Sequence, residues 1–253
     1  MKNIAHRGFS SKFPENTMLS FQKAIEISAD WIELDVTLSK DNIPVVIHDD
    51  TLDRTSNGKG LVQKYSLKQL KTFDFGSWKN RRFAEEKIPT LEEVLKLIHN
   101  QSIHLNIEIK SSAYKKKDSS HSIERQVLFL VKKYKLMGRV VISSFEPKVL
   151  TRLRSLSTKI RLAYLIEPGY EKIMPDPISF VKEIKADSLN IHKSQIRSRL
   201  FQKIRAEKIP TYVHTVNTLV EFRKMIGLGI AGVFTNYPDR LKLILNSSES
   251  ISK

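Results

Sequence analysis

Short apolar runs alternate with stretches of helical spacing along the whole chain. Runs at Asn3–His6, Trp31–Val36, Pro44–His48, Ile103–Lys110, Val140–Ser144, Arg161–Ile166, Ser188–Ile191, Thr211–Thr215 and Gly232–Thr235 predict strands. Between them, Met18, Phe21 and Ile25 share one helical face, and Leu91, Val94, Leu95 and Ile98 share another. Ile123, Val127, Leu130, Val131 and Tyr134 make a third stripe, Val149, Leu150 and Leu153 a fourth, and Leu219, Phe222 and Ile226 a fifth. Thr90-Leu-Glu-Glu93 reads as a capping box, because hydroxyl and carboxylate can each satisfy the other's free backbone N–H. Strands followed by amphipathic helices imply βα units and a parallel sheet. About eight such units in some 250 residues predict an α/β fold closed as a TIM-type (β/α)8 barrel.

One interval breaks the rhythm. Asp35 and His48 lie too close for a helix between their strands, and Ser39-Lys-Asp-Asn42 reads as a turn, so a tight antiparallel hairpin is expected there. This adds a ninth strand and predicts a distorted barrel. Residues 51–89, with Asn57-Gly-Lys-Gly60 and Phe75-Gly-Ser-Trp78, are too long for a simple loop and predict an insertion after the third strand, beside the barrel mouth. The chain is otherwise read as a single domain over 1–253, with 247–253 as a disordered tail.

Composition narrows the chemistry. The absence of cysteine excludes disulfides and thiolate metal sites. The start lacks the apolar core of a secretory signal and no run is long enough for a membrane span, which makes a cytoplasmic location the expectation. The formal charge of +16 suits an anionic partner, yet the basic residues are scattered and only Lys115–Lys117 form a tight run. That scatter reads as a solvated surface, and no nucleic-acid partner is expected.

Strand alternation places the candidate chemistry. In Ile103–Lys110, the residues His104, Asn106, Glu108 and Lys110 share one face and Leu105, Ile107 and Ile109 the other. The apolar face packs on the outer helices, so the polar face points into the barrel. There Glu108 either pairs with Lys110 or serves a ligand. Glu33 and Asp35 share a face in the same way. Like charges aimed into one interior repel, and a divalent cation relieves them. Three carboxylates without thiols favour Mg2+ or Ca2+, with Mn2+ also compatible. His6 and His48 end their apolar runs and enter polar loops, where barrel enzymes carry their active sites. Arg7 offers a guanidinium shaped for phosphate, and Gly8 marks a sharp turn or close approach. His192 closes a strand and is a candidate for the mouth. His104 is expected to fill the barrel base, His99 to sit at a helix end and His121 to be solvated.

The pieces His6-Arg-Gly8, Pro14-Glu-Asn-Thr17, Glu33-x-Asp35, His48-Asp49, Asn57-Gly-Lys-Gly60, Ile88-Pro-Thr-Leu-Glu-Glu-Val94 and Ile107-Glu-Ile-Lys110 stand in the order seen in glycerophosphodiester phosphodiesterases of bacterial, cytoplasmic type. Ser144-Phe145 and Thr235-Asn-Tyr-Pro238 also match. The resemblance spans nearly the whole chain. It implies hydrolysis of small glycerophosphodiesters to sn-glycerol 3-phosphate and an alcohol. It further implies one divalent metal on Glu33, Asp35 and Glu108, His6 and His48 as general base and acid, and Arg7 and Lys110 near the phosphate. The attacking group is water or the glycerol 2-hydroxyl. Two positions depart from the family pattern. His214-Thr-Val-Asn217 stands where the family has Trp-Thr-Val-Asn, which places His214 against the glycerol or head group. Thr235-Asn236 stands for Thr-Asp, with one negative charge fewer at the mouth.

Two other readings follow from the same residues. A lysophospholipase D-like enzyme would use this site on lipids, and an apolar rim beside the mouth would favour it over a compact polar one. A non-catalytic polyanion-binding protein would use the basic charge and would have no need for the histidines and acids.

Overall fold

The computed structural model describes residues 1–169 and 175–251, with side chains through 246. The expected tail over 247–253 falls in part outside the described residues. Strand β1 is Lys2–His6, helix α1 is Met18–Glu26, β2 is Trp31–Leu38 and β3 is Pro44–Val46. The short helix α2 (Leu67–Leu70) belongs to the insertion, and α3 is Leu91–His99. Then β4 (His104–Ile109), α4 (Ile123–Lys133), β5 (Val140–Ser144), α5 (Pro147–Leu156), β6 (Arg161–Ile166) and α6 (Pro177–Glu183) follow. The chain ends with β7 (Ser188–His192), α7 (Arg199–Ala206), β8 (Thr211–His214), α8 (Leu219–Gly227), β9 (Gly232–Thr235) and α9 (Pro238–Ile251).

The barrel runs β1-β2-β4-β5-β6-β7-β8-β9 in parallel, and β1 closes it by pairing with both β2 and β9. This is the TIM-type (β/α)8 fold. The extra strand β3 hangs antiparallel on β2, with Val36 opposite Val46. Its turn works because Asn42 takes φ 60° and donates its N–H to Ser39 O at 3.0 Å; asparagine tolerates that left-handed conformation better than most side chains. The strand is shorter than its apolar run suggests, and His48 lies two residues beyond it; Ile47 between them still follows the β2 register by donating to Asp35 O at 3.0 Å.

Helix starts follow their chemistry. Thr17 and Thr90 each cap a helix by accepting from the residue three positions on, Ser20 and Glu93. Thr218 does the same with Glu221 ahead of α8. The outward strand faces, such as Ile32, Leu34 and Val36 with Leu105, Ile107 and Ile109, join the helices in the main core. Inside the barrel, Ile4, Trp31, Val141, Ala163 and Phe234 form a small apolar group of their own. His104 stacks on Trp31 at the strand N-termini, with ring centroids 4.6 Å apart.

The insertion has its own core of Val45, Ile47, Leu52, Val62, Leu70, Phe75 and Ile88. It is tied to the loops above the strands by Lys79 Nζ donating to Ser10 O at 2.7 Å and Gln63 Nε2 donating to Ser112 O at 3.1 Å. Among the described residues, no helix is long and apolar enough to cross a membrane. Phe21 is fully buried between α1 and the barrel wall. Phe21→Ala is expected to cost about 3–5 kcal/mol, read from urea denaturation; a loss under ~1 kcal/mol would mean the helix layer closes over the gap.

Candidate active site

The mouth is assembled at the strand C-termini. Register sets Asp35 beside Glu108 and His6 beside Glu33. The carboxylates of Glu33, Asp35 and Glu108 each offer an oxygen within 4.8 Å of the others, and all three are buried. Burial raises Glu33 well above the usual carboxylate range, and the charges of Asp35 and Glu108 push it further. Burial also raises Glu108, against the opposing pull of Lys110. Asp35 goes the other way: burial alone would raise it, but Lys110 and Arg7 hold it below its ordinary value.

The cations are accounted for. Lys110 Nζ lies 2.9 Å from Glu108 Oε1 and 3.5 Å from Asp35 Oδ1, so the simple Glu108–Lys110 pair does form. The Arg7 guanidinium donates to Glu15 Oε1 at 2.8 Å, with Nε 3.4 Å from Asp35 Oδ2. Asn16 Nδ2 adds a bond to Asp35 Oδ2 at 2.9 Å. Even so, Glu33 Oε1 is buried without a hydrogen-bond partner among the described residues. A cluster of hard oxygen donors with an orphaned oxygen and strong mutual repulsion fits a divalent cation.

Two histidines flank this cluster. His6 Nδ1 sits 2.8 Å from Asn236 Oδ1, and its Nε2 lies 3.9 Å from Glu33 Oε2. An amide oxygen accepts, so the ring proton belongs on Nδ1 and Nε2 is left bare. Burial, reinforced by Arg7, lowers His6 to about 3. His48 Nδ1 meets Asp49 Oδ1 at 2.6 Å. Asp49 is held in turn by Arg54, at 2.6 Å from Nε and 2.9 Å from Nη2. Those bonds, more than any other cause, lower Asp49 to about 2. Arg54 also grips Glu15 with two nitrogens at 2.8 and 2.9 Å, so Arg7, Glu15, Arg54, Asp49 and His48 form one continuous chain across the mouth.

The mouth cavity, about 180 Å3, is lined by His6, Arg7, Glu33, His48, Asn106, Glu108, Phe145, Leu165, Glu167, His192, His214, Thr215 and Phe234. His192 and His214 both reach it, with ring centroids 5.8 Å apart. Burial lowers His214 to about 4, with the neighbouring His192 adding to the effect. A larger cavity of about 310 Å3 opens at the opposite end of the barrel, and none of the three acids lines it. Lys110 is absent from the mouth lining because its ammonium is turned onto the carboxylates. Sequence reasoning did not single out Arg54 or Glu167, and it gave Glu15 and Asn16 only as landmarks. Asp49 directly follows His48, which was the available signal for it; Arg54 carried none.

A family model described as the glycerophosphoryl diester phosphodiesterase family matches residues 6–240. The chain belongs to that family. A glycerophosphodiester phosphodiesterase of Caldanaerobacter subterraneus subsp. tengcongensis is 36% identical over 238 residues, covering 94% of this chain and 95% of its own. One from Bacillus altitudinis is also 36% identical, over 242 residues, covering 94% and 96%. A phosphodiesterase of Oleispira antarctica, solved with its product sn-glycerol-3-phosphate, superposes with TM-score 0.83 at 30% identity over 97% of each chain. This family member departs from the Thr-Asp pattern at Asn236, and the structure gives that departure a contact: the amide faces His6. Asn217 holds it there by accepting from Asn236 N at 2.9 Å.

The turn that separates His6 from α1 depends on Gly8. Its φ is +80°, and a Cβ there would meet Ser20 Cβ and backbone carbon, each at 2.8 Å. Gly8→Ala is expected to cost more than about 1 kcal/mol in chemical denaturation, and an unchanged midpoint would show that the loop adapts freely.

Proposed function

We propose that this phosphodiesterase hydrolyses small glycerophosphodiesters to sn-glycerol 3-phosphate and an alcohol, with His6 as general base and His48 as general acid. The observation that carries the reading is the pairing of two histidines, differently partnered, on either side of one buried carboxylate triad. Glu33, Asp35 and Glu108 would hold a divalent cation, Mg2+ or Ca2+ with Mn2+ compatible. Such an ion neutralises charge on a phosphoryl oxygen.

The residues divide the rest of the work. His6 offers a bare Nε2 because Asn236 occupies Nδ1, so it accepts a proton from the attacking hydroxyl. His48 has Asp49 on Nδ1, which orients the ring to donate a proton to the leaving alkoxide. Arg7 and Lys110 keep positive charge beside the phosphate while stabilising the ionised triad. The fixed dipoles and charges act in a buried site, where they are stronger than in water. A compact mouth lined largely by polar groups supports a small soluble diester over a lysophospholipid.

The deciding assay gives purified enzyme glycerophosphocholine and a lysophospholipid, with release of glycerol phosphate or lysophosphatidate followed, before and after chelation and metal add-back. Activity on glycerophosphocholine that disappears on chelation and returns with Mg2+ or Ca2+ is expected; full activity after exhaustive chelation rules out the metal role. Binding of the ion should also raise the melting temperature of wild type, and Asp35→Asn should blunt that rise. His6→Ala and His48→Ala are each expected to lose about 10²–10⁴-fold in kcat with unchanged circular dichroism. Near wild-type turnover in either variant ends the acid–base assignment. Salt-sensitive nucleic-acid binding with no hydrolysis would replace the enzyme reading with the polyanion one.

A further inference from the structure

The end of the barrel opposite the mouth is hollow. Its cavity of about 310 Å3 has rings from Trp31, Tyr212 and Phe234 in its wall, with the aliphatic side chains of Ile4 and Val141. Tyr212 and Phe234 meet at an angle of 65°, with centroids 6.5 Å apart. Protein interiors leave few voids larger than a water molecule. This one has the volume of a small-molecule pocket, for which about 300–1,000 Å3 is typical. None of the three acids of the mouth lines it, and a single layer that includes Asn106 and Phe234 separates the two spaces.

The rim is charged, and its charges are unequally occupied. Arg161 and Asp187 both line the cavity. Asp187 Oδ1 accepts from Arg161 Nε at 3.1 Å, and Asp187 Oδ2 accepts from the Leu162 backbone N–H at 3.0 Å. Each carboxylate oxygen therefore has a donor already. The two terminal nitrogens of Arg161 have no partner among the described residues, and its Cζ lies 5.8 Å from the centre of the Trp31 ring. Lys2 stands beside Tyr212: a Cβ on Gly232 would meet Lys2 Cβ at 2.9 Å and the Tyr212 ring at 2.8 Å. His104, stacked on Trp31, feels the resulting field. Burial lowers its pKa, and Arg161, Lys2 and Arg139 lower it further against the pull of Asp30. Deeper in, Asn190 Oδ1 accepts from Ser188 Oγ at 3.1 Å, while Asn190 Nδ2 has no partner among the described residues.

We propose that this base cavity is a second binding site, which takes a small aromatic carboxylate. The ring lies among Trp31, Tyr212 and Phe234, and the carboxylate takes the free nitrogens of Arg161. A guanidinium presents a planar fork of N–H donors that matches a carboxylate with two parallel bonds. Aromatic walls favour a ring set edge-on or offset against them. A cationic ligand would find Asp187 occupied and would meet Arg161 and Lys2. A bare inorganic anion would leave the apolar wall uncovered. The site is independent of the hydrolysis proposed for the mouth.

Trp31 is one of two tryptophans in the chain and lines the cavity, so it reports on the site directly. The other, Trp78 in the insertion, is removed in Trp78→Phe, and Trp31 emission is followed as 3-phenylpropionate is added. A saturable change with Kd at or below about 1 mM is expected. The neutral 3-phenylpropionamide and the cationic 3-phenylpropylamine are expected to bind at least ~10-fold more weakly. In the same background, Arg161→Gln should weaken 3-phenylpropionate at least ~10-fold and leave the amide where it was. Val141→Phe fills the cavity and should abolish the response, with an unchanged circular dichroism spectrum. The comparison of acid, amide and amine stands in Trp78→Phe alone, should either further variant fail to fold. No saturable change by about 20 mM, or a response that survives Val141→Phe, overturns the site. Equal affinity for the three probes, or a preference for the amine, overturns the carboxylate and the proposal with it.

Discussion

Placing three carboxylates inside a barrel is the constraint around which the rest of the site is arranged. Ionised groups out of water are costly, and three within 4.8 Å compound the cost by repulsion. The surrounding residues answer it piece by piece. Lys110 takes up Glu108 and leans on Asp35, Arg7 and Asn16 take the other Asp35 oxygen, and the Arg7 backbone N–H donates to Glu33 Oε2 at 2.9 Å. The left-handed Arg7 and Asn16, with φ 57° and 56°, are part of that answer. Their backbone shape turns a side chain or an amide onto an acid that a regular strand exit would leave bare.

The strands and their inward faces were legible because alternation is a local property. Glu33, Asp35 and Glu108 follow from period two, and register then sets Asp35 level with Glu108 and Glu33 level with Asn106, two residues below. The hairpin was legible from the short spacing between Asp35 and His48. The salt-bridged chain through Glu15, Arg54 and Asp49 was not, because it joins the β1–α1 loop to the segment after β3, whose approach depends on the closed barrel and the docked insertion. Asn236 was visible as a departure from a pattern, but its meaning required the contact with His6, 230 residues away. Glu167 follows an ordinary apolar strand, and nothing in its local sequence separates it from a solvated surface acid.

The two ends of the barrel also differ in kind. Small side chains such as Val141, Ala163 and Ser188 leave the base hollow, whereas the mouth is filled by charge and hydrogen bonding. Asn106 and Phe234 line both cavities, so one layer of side chains divides them. The fold's stability lies mostly outside the strands, in the sheet–helix layer, which leaves the interior free for chemistry.

His48 follows β3 and so does not ride on the barrel itself. Val45 and Ile47, just before it, are packed in the insertion's own small core. Small cooperative units open at lower free energy than the domain that carries them. The two histidines therefore sit on parts of different thermal durability: His6 on the closed sheet, His48 on a satellite. On warming, the proton donor proposed above should be lost before the barrel melts, through the undocking of His48 from a site whose carboxylates remain in place.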